Sequence, residues 1–163
     1  MAGFLPTLFE RLADDAPHRE VETNPLRRWS VEDLKESVAR DLESLLNTRA
    51  SLFDDQFERF PESHNSVASY GMGDFVGLSL ANPADRDLIC RTLERTVAYH
   101  EPRLRHVEVR LEADRSSIGC LQFGINAVLF VNPASEPVTF DALLQPNTLQ
   151  YSVAKSRGLV GLR

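Results

Sequence analysis

Residues 82–111 read NPADRDLICRTLERTVAYHEPRLRHVEVRL, and the hydrophobic period changes within them. Up to His100 the apolar residues Leu88, Ile89, Leu93 and Val97 recur at helical spacing. Asn82 stands at the N-cap with Pro83 at the first helical position, where a missing N–H costs nothing. Pro102 forces Glu101 out of helical geometry, so the helix ends near His100. Beyond it the period falls to two. Leu104, His106 and Glu108 alternate with Arg105, Val107, Val109 and Leu111, the pattern of a strand with one apolar face.

Downstream of this switch everything reads as strand. Leu121, Phe123, Ile125, Ala127, Leu129 and Val131 share one face of a long strand, and Val128 and Phe130 opposite predict that its far half is buried on both sides. Val138–Leu144 and Thr148–Val153 are two shorter extended segments. Upstream, Val31, Leu34, Val38, Leu42, Leu45 and Leu46 mark one face of a helix running to about Arg49, with Ser30 as N-cap and Asp33 as the capping-box acid. Trp29 is placed to staple onto its first turn, and Asn47 to terminate it in left-handed geometry. Phe4, Leu5, Leu8 and Leu12 give a short amphipathic N-terminal helix that needs something to dock on. Helices followed by strands predict an α+β fold: two main helices packed on a small, mainly antiparallel sheet of about four strands, with the short helix in front. The expected domains are 1–28 (docking helix and connector), 29–154 (one α+β domain) and 155–163 (a flexible tail).

The chain has 163 residues and 18 Lys+Arg against 24 Asp+Glu, a formal net charge of −6. That balance argues against binding a phosphate backbone, which draws on clustered cations. The longest apolar run, Ala127–Val131, is far short of the ~20 residues of a membrane helix, and the start lacks the basic region of a secretory leader. Cys90 and Cys120 belong to no motif and read as two buried thiols in a reducing cytosol.

Catalytic and ligand motifs fail in turn. The four histidines are scattered and no C-x-x-C exists, so no metal or cofactor is expected. Gly71, Gly73 and Gly77 imitate a phosphate loop, but no strand–turn–helix unit surrounds them. Ser152–Lys155 matches S-x-x-K by letters alone. One enzymatic reading stands, a carboxylate-based peptidoglycan hydrolase centred on Glu101 at the helix–strand junction. Against it, no second acid is singled out, and Arg103 nearby favours a structural ion pair. What remains is an interaction protein whose last extended segments leave a sheet edge open for strand addition.

Several segments together resemble a known family. Arg40-Asp41-Leu42-Glu43 with Leu45-Leu46-Asn47-Thr48-Arg49, then Phe60-Pro61, Ser69-Tyr70-Gly71, Glu101-Pro102-Arg103-Leu104 and Glu136-Pro137-Val138, occur in the order found in the TssE family of type VI secretion baseplate subunits, relatives of a phage tail wedge protein. Leu8-Phe9-Glu10-Arg11-Leu12 is similar to that family's N-terminal element. Gly73 and Ala50 depart from its pattern, where a proline and a second arginine are expected. The resemblance implies a non-enzymatic, cytoplasmic structural subunit that docks on other wedge proteins and templates the sheath by strand augmentation. It also implies partner contacts at Glu101, Pro102 and Arg103, with Arg49, Leu8 and Leu12 as further candidates. Arg49 is equally open to an internal pair. An anti-adaptor of the stress response shares the general fold, so a small regulatory binding module is the other reading.

Overall fold

The computed structural model describes residues 4–12, 18, 28–50, 60–73, 75, 78–79, 82–112, 121–131, 134–145, 148 and 150–156. The expectations for Gly77, for Cys120 and for residues 157–163 of the tail lie outside these residues. The chain divides into two compact units, Met1–Val38 and Ala39–Arg163, the boundary falling within a helix.

In the first unit, helix α1 is Leu8–Leu12. Thr7 starts it by donating its N–H and hydroxyl to Glu10 at 2.9 and 2.7 Å. Its apolar side chains turn outward: Leu8, Phe9 and Leu12 are 65%, 82% and 71% exposed. Helix α2, Val31–Asn47, begins here with the expected capping box. Asp33 N–H donates to the Ser30 hydroxyl at 3.1 Å, and Ser30 N–H donates back to the Asp33 carboxylate at 2.9 Å. The backbone of Trp29 pairs with Phe4 in an isolated antiparallel bridge, N–H to carbonyl at 2.8 and 2.9 Å.

The second unit holds the rest of α2, two 3₁₀ turns (Pro61–Asn65 and Val67–Ser69), helix α3 (Pro83–His100) and a sheet. The α3 cap is as read: the Asn82 side chain accepts from Ala84 N–H, and Pro83 opens the first turn. The strands are β1 (Leu104–Glu112), β2 (Leu121–Val131), β3 (Ala134–Gln145) and β4 (Gln150–Lys155). They pair antiparallel in the order β1-β2-β3-β4, so the α+β expectation holds. The inner face carries Val109, Phe123, Ile125, Leu129, Phe140 and Val153, all buried with Leu42, Leu45, Leu93 and Val97 of the helices.

Two details of the sheet differ from the sequence reading. The alternation in β1 does not keep one phase. Leu104 is buried, yet so is Val109 five residues on, because the register slips between Arg105 and Glu108. His106 absorbs the extra residue at φ 53°, a left-handed position in a β-bulge. The second difference concerns Phe130, expected to be covered on its outer side. It is 41% exposed, because the helical layer covers only the inner face. Its ring instead carries the Arg105 guanidinium, 4.0 Å from the ring centre.

Candidate functional site

Two of the motif segments of the second unit, Glu101–Arg103 and Tyr70–Gly71, meet the C-terminal half of α2 and the residues that follow it. At the end of α3, Glu101 donates its N–H to the Val97 carbonyl at 2.9 Å, and the chain turns through Pro102 into β1. Glu101 is only 4% exposed. Arg103 forks onto it: Nε donates to one carboxylate oxygen at 2.7 Å, a terminal nitrogen to the other at 2.5 Å, and the Arg103 backbone N–H to the first at 3.2 Å. The same terminal nitrogen reaches Asp41 of α2. Burial opposes the guanidinium charge, but the Glu101 and Asp41 carboxylates outweigh it and hold the Arg103 pKa above its ordinary value. Two of the three Glu-Pro-Arg residues are therefore turned toward each other. Pro102 alone is exposed at the tip of the turn.

Asn47, Thr48 and Arg49 follow in α2 and just beyond it. Met72 N–H donates to the Thr48 carbonyl at 2.7 Å and Ala50 N–H to the Met72 carbonyl at 3.0 Å, a parallel bridge that brackets the exposed Arg49. Gly71 lies against this bridge at φ 115°. Tyr70 meets the His100 ring edge-on at 5.4 Å between centres. Burial, then the nearby Asp41 and Glu101 charges, push the Tyr70 pKa up. Leu8 and Leu12, the remaining candidates, belong to the first unit, where both are exposed on α1.

His100 donates from Nε2 to the Ser69 carbonyl at 3.0 Å. Burial lowers its pKa below the ordinary 6.5, with the Ser69 bond opposing. The unfolded chain therefore takes up this proton first. The His100 contribution to stability is intact above pH 6.5 and declines as pH falls through the lowered folded value. Urea midpoints measured from pH 7.5 to 5.5 should fall, and His100→Asn should flatten that slope. An unchanged slope in the variant would exclude His100 as its source.

The sequence missed what the helices do to the sheet edges. In β4, Tyr151 and Val153 turn their N–H groups away from β3, and α2 meets both. The Asn47 amide accepts from Tyr151 N–H and donates to the Tyr151 carbonyl, each at 2.8 Å, as a neighbouring strand would. Glu43, one turn earlier, accepts from Val153 N–H at 2.8 Å. The far edge repeats the device: Glu94 of α3 accepts from Val109 N–H of β1 at 2.9 Å, and Leu111 N–H faces the Cys90 thiol. A helix pair at i,i+4 matches strand donors at i,i+2, since both spacings are about 6–7 Å.

The edge expected to be open at the last strand is thus occupied at Tyr151 and Val153. Asn47 does this from ordinary helical geometry, because His106 is the only described non-glycine residue with positive φ. The signal was present as polar residues at 43 and 47 beside an apolar helical stripe, but only register reveals their partners. Asn47→Ala leaves a buried donor and acceptor of Tyr151 unpaired and should cost about 1–3 kcal/mol in urea unfolding. Asn47→Asp, which keeps the acceptor, should cost less. Equal losses would show that the retained acceptor contributes nothing and that the amide N–H carries the effect.

Among the described residues no group of three metal-ligating side chains comes together, and no helix is long and apolar enough to cross a membrane. Comparison with known proteins gives two kinds of relative. Curated proteins of similar sequence are named anti-adapter protein IraD. That of Escherichia coli O127:H6 is 28% identical over 124 residues, 74% of this chain and 92% of its own length. That of Shigella boydii serotype 4 is 26% identical over 119 residues, 71% and 87% respectively. The family model described as baseplate wedge protein gp25 matches residues 32–134, from the first turn of α2 to the start of β3. With that match spanning well over half of its length, the chain belongs to the gp25 baseplate wedge protein family.

Proposed function

We propose that this protein is a structural subunit of a contractile injection machine of the type VI secretion kind, acting in the cytoplasm. It docks on the other wedge subunits and offers its sheet to the sheath protein by strand augmentation, without cofactor, nucleic acid or membrane insertion. Membership of the wedge family carries this reading. The outward apolar face of α1 supports it, since a five-residue helix with Leu8, Phe9 and Leu12 in water gains stability only against a partner. In this assignment Leu8 and Leu12 anchor one contact, and Arg49 and Pro102 lie on the surface of a second. Glu101 and Arg103 hold the Pro102 turn in place. Residues 1–28 serve as the docking element and residues 29–154 as the wedge domain, with 155–163 as the tail.

The Glu101 carboxylate is committed to Arg103, from which its two oxygens accept three hydrogen bonds, and this favours a structural ion pair over a hydrolase centred on Glu101. The better second reading is a small regulatory module that binds a protease adaptor, favoured by the near full-length match to the anti-adapter proteins. An affinity pull-down of the tagged full chain from its native cells, read by mass spectrometry, separates the two. Wedge subunits and sheath protein in the eluate are the expected result. Recovery of protease adaptors without them would replace the scaffold reading with the regulatory one.

A further inference from the structure

Leu104 and Val109 both point into the core, although an odd number of residues separates them in β1. An unbroken strand would turn one of them outward. The bulge removes the conflict: His106 and Val107 together face the single residue Ala127, between the Arg105–Val128 and Glu108–Asn126 pairs. His106 takes the left-handed φ of 53° that this requires. Without the extra residue, Arg105 would share a face with Val109 and turn toward the helical layer. With it, Arg105 lies on the outer face diagonal to Phe130, and its guanidinium rests 4.0 Å from the ring centre.

Two arginines thus leave the α3–β1 turn with different fates. Arg103 is spent inside the protein, on Glu101 and Asp41. Arg105 meets no carboxylate among the described residues. Glu108, the next acid along β1, is taken by Arg110 at 2.7 and 3.2 Å. The outer-face positions of β2 and β3 at this end carry no charge: Val128 lies opposite Pro137, and Phe130 opposite Ser135. Phe130, Ser135 and Pro137 are all exposed. The ring restricts the Arg105 guanidinium but takes none of its N–H donors, so the fork is held on an apolar patch with its hydrogen-bonding edge open.

We propose that Arg105 on Phe130 anchors a protein contact through the outer face of the sheet, and that its occupant is an acidic segment of another wedge subunit. An Asp or Glu of that segment accepts two parallel hydrogen bonds from the Arg105 fork, and an apolar side chain beside it covers Phe130 and the Val128–Pro137 row. Charge and continuity select this occupant. A planar fork matches a carboxylate, and a cation that meets no acid on an apolar patch calls for a partner of opposite sign. A nucleic-acid backbone would draw on clustered cations, and here Arg103 is already committed. Phe130 N–H donates to the Arg103 carbonyl at 2.8 Å, so the patch continues from the exposed Pro102 turn, which the scaffold reading above gives to a subunit contact. This assignment rests on that reading, and it moves the charged part of the contact from Arg103 to Arg105.

Binding of the full-length protein to purified wedge subunits tests it. Arg105→Ala should weaken that binding by about tenfold or more, and Arg105→Glu further. Arg105→Lys should recover only part, since an ammonium keeps the charge without the fork. Ser135→Glu leaves Arg105 in place and offers its fork an internal carboxylate. It should weaken the same binding, which keeps the test valid if Arg105→Glu lowers stability. A photo-crosslinking amino acid at Pro137 should mark a wedge-subunit segment that holds an Asp or Glu. Changing that acid to Arg should restore binding to Arg105→Glu, a rescue that a purely structural role would not give. Binding unaltered in both Arg105→Glu and Ser135→Glu would overturn the site and leave the scaffold role standing. Crosslinks confined to the sheath subunit, to a second copy or to a segment without an acid would do the same. Wild-type protein that binds neither wedge nor sheath subunits would overturn both.

Discussion

Arg103→Ala should lower the unfolding free energy by about 3 kcal/mol, because it strands the Glu101 carboxylate in a site only 4% exposed. Breaking one side of a buried pair costs about 3–5 kcal/mol, and the lower end applies because the Arg103 side chain keeps 22% of its exposure. Asp41 is more than half exposed, so water replaces most of what it loses. The double variant Glu101→Leu, Arg103→Met should recover much of the loss, since it removes both charges and keeps the volume. Urea unfolding of the parent, Arg103→Ala and the double variant checks the claim. A loss below about 1 kcal/mol for Arg103→Ala would mean that water reaches the carboxylate. This result also constrains how partner contacts are studied. Arg103→Glu would set a third carboxylate between Glu101 and Asp41, so a lost interaction in that variant would report on folding as well as on the interface.

Gly71→Ala should be at least as damaging. Gly71 sits at φ 115°, which an L side chain adopts only under strain of about 1–3 kcal/mol. A Cβ there would lie 2.5 Å from the Thr48 carbonyl oxygen and 2.9 Å from Ala50 N, both backbone atoms that cannot swing aside. Relief requires pulling Met72 away from Thr48 and giving up the bridge that ties this segment to the end of α2. We expect a total loss of about 3 kcal/mol or more, read as a drop in thermal midpoint. Gly73 is the internal control. A Cβ at that position meets nothing within 4 Å, and Gly73→Ala should stay within about 0.5 kcal/mol of the parent. Equal effects at the two glycines would show that the bridge does not persist in solution.

These two predictions give a physical account of why the recognisable motifs cluster. Asp41, Thr48, Gly71, Glu101 and Arg103 come from three separated stretches, and each lies against another of the set. Together they fasten the C-terminal half of α2 to the α3–β1 turn and to the Gly71–Met72 segment. Pro102 and Arg49 are exposed on the surface of this knot.

What the sequence determined by itself was local. The caps at Ser30 and Asn82 and the helix stop before Pro102 follow from bonding and steric rules that act within four residues. The strand face of β2 follows from a period of two, which survives wherever one side of a sheet is buried. Even the β1 bulge left a trace, as Leu104 and Val109 cannot share a face in a regular strand. Only the tertiary structure decided what the polar residues do. Asn47 looked like a helix stop and is a surrogate strand for Tyr151, 104 residues away. Arg103 was open to a structural pair or to a partner's carboxylate, and it forks onto Glu101. Phe130 looked buried and is open, while the edge of β4 looked open and is closed. The reason is common to all four. Hydrophobic periodicity records which side of an element avoids water, but a hydrogen bond or an open edge depends on which distant group arrives at about 3 Å, and that is set by register and packing alone.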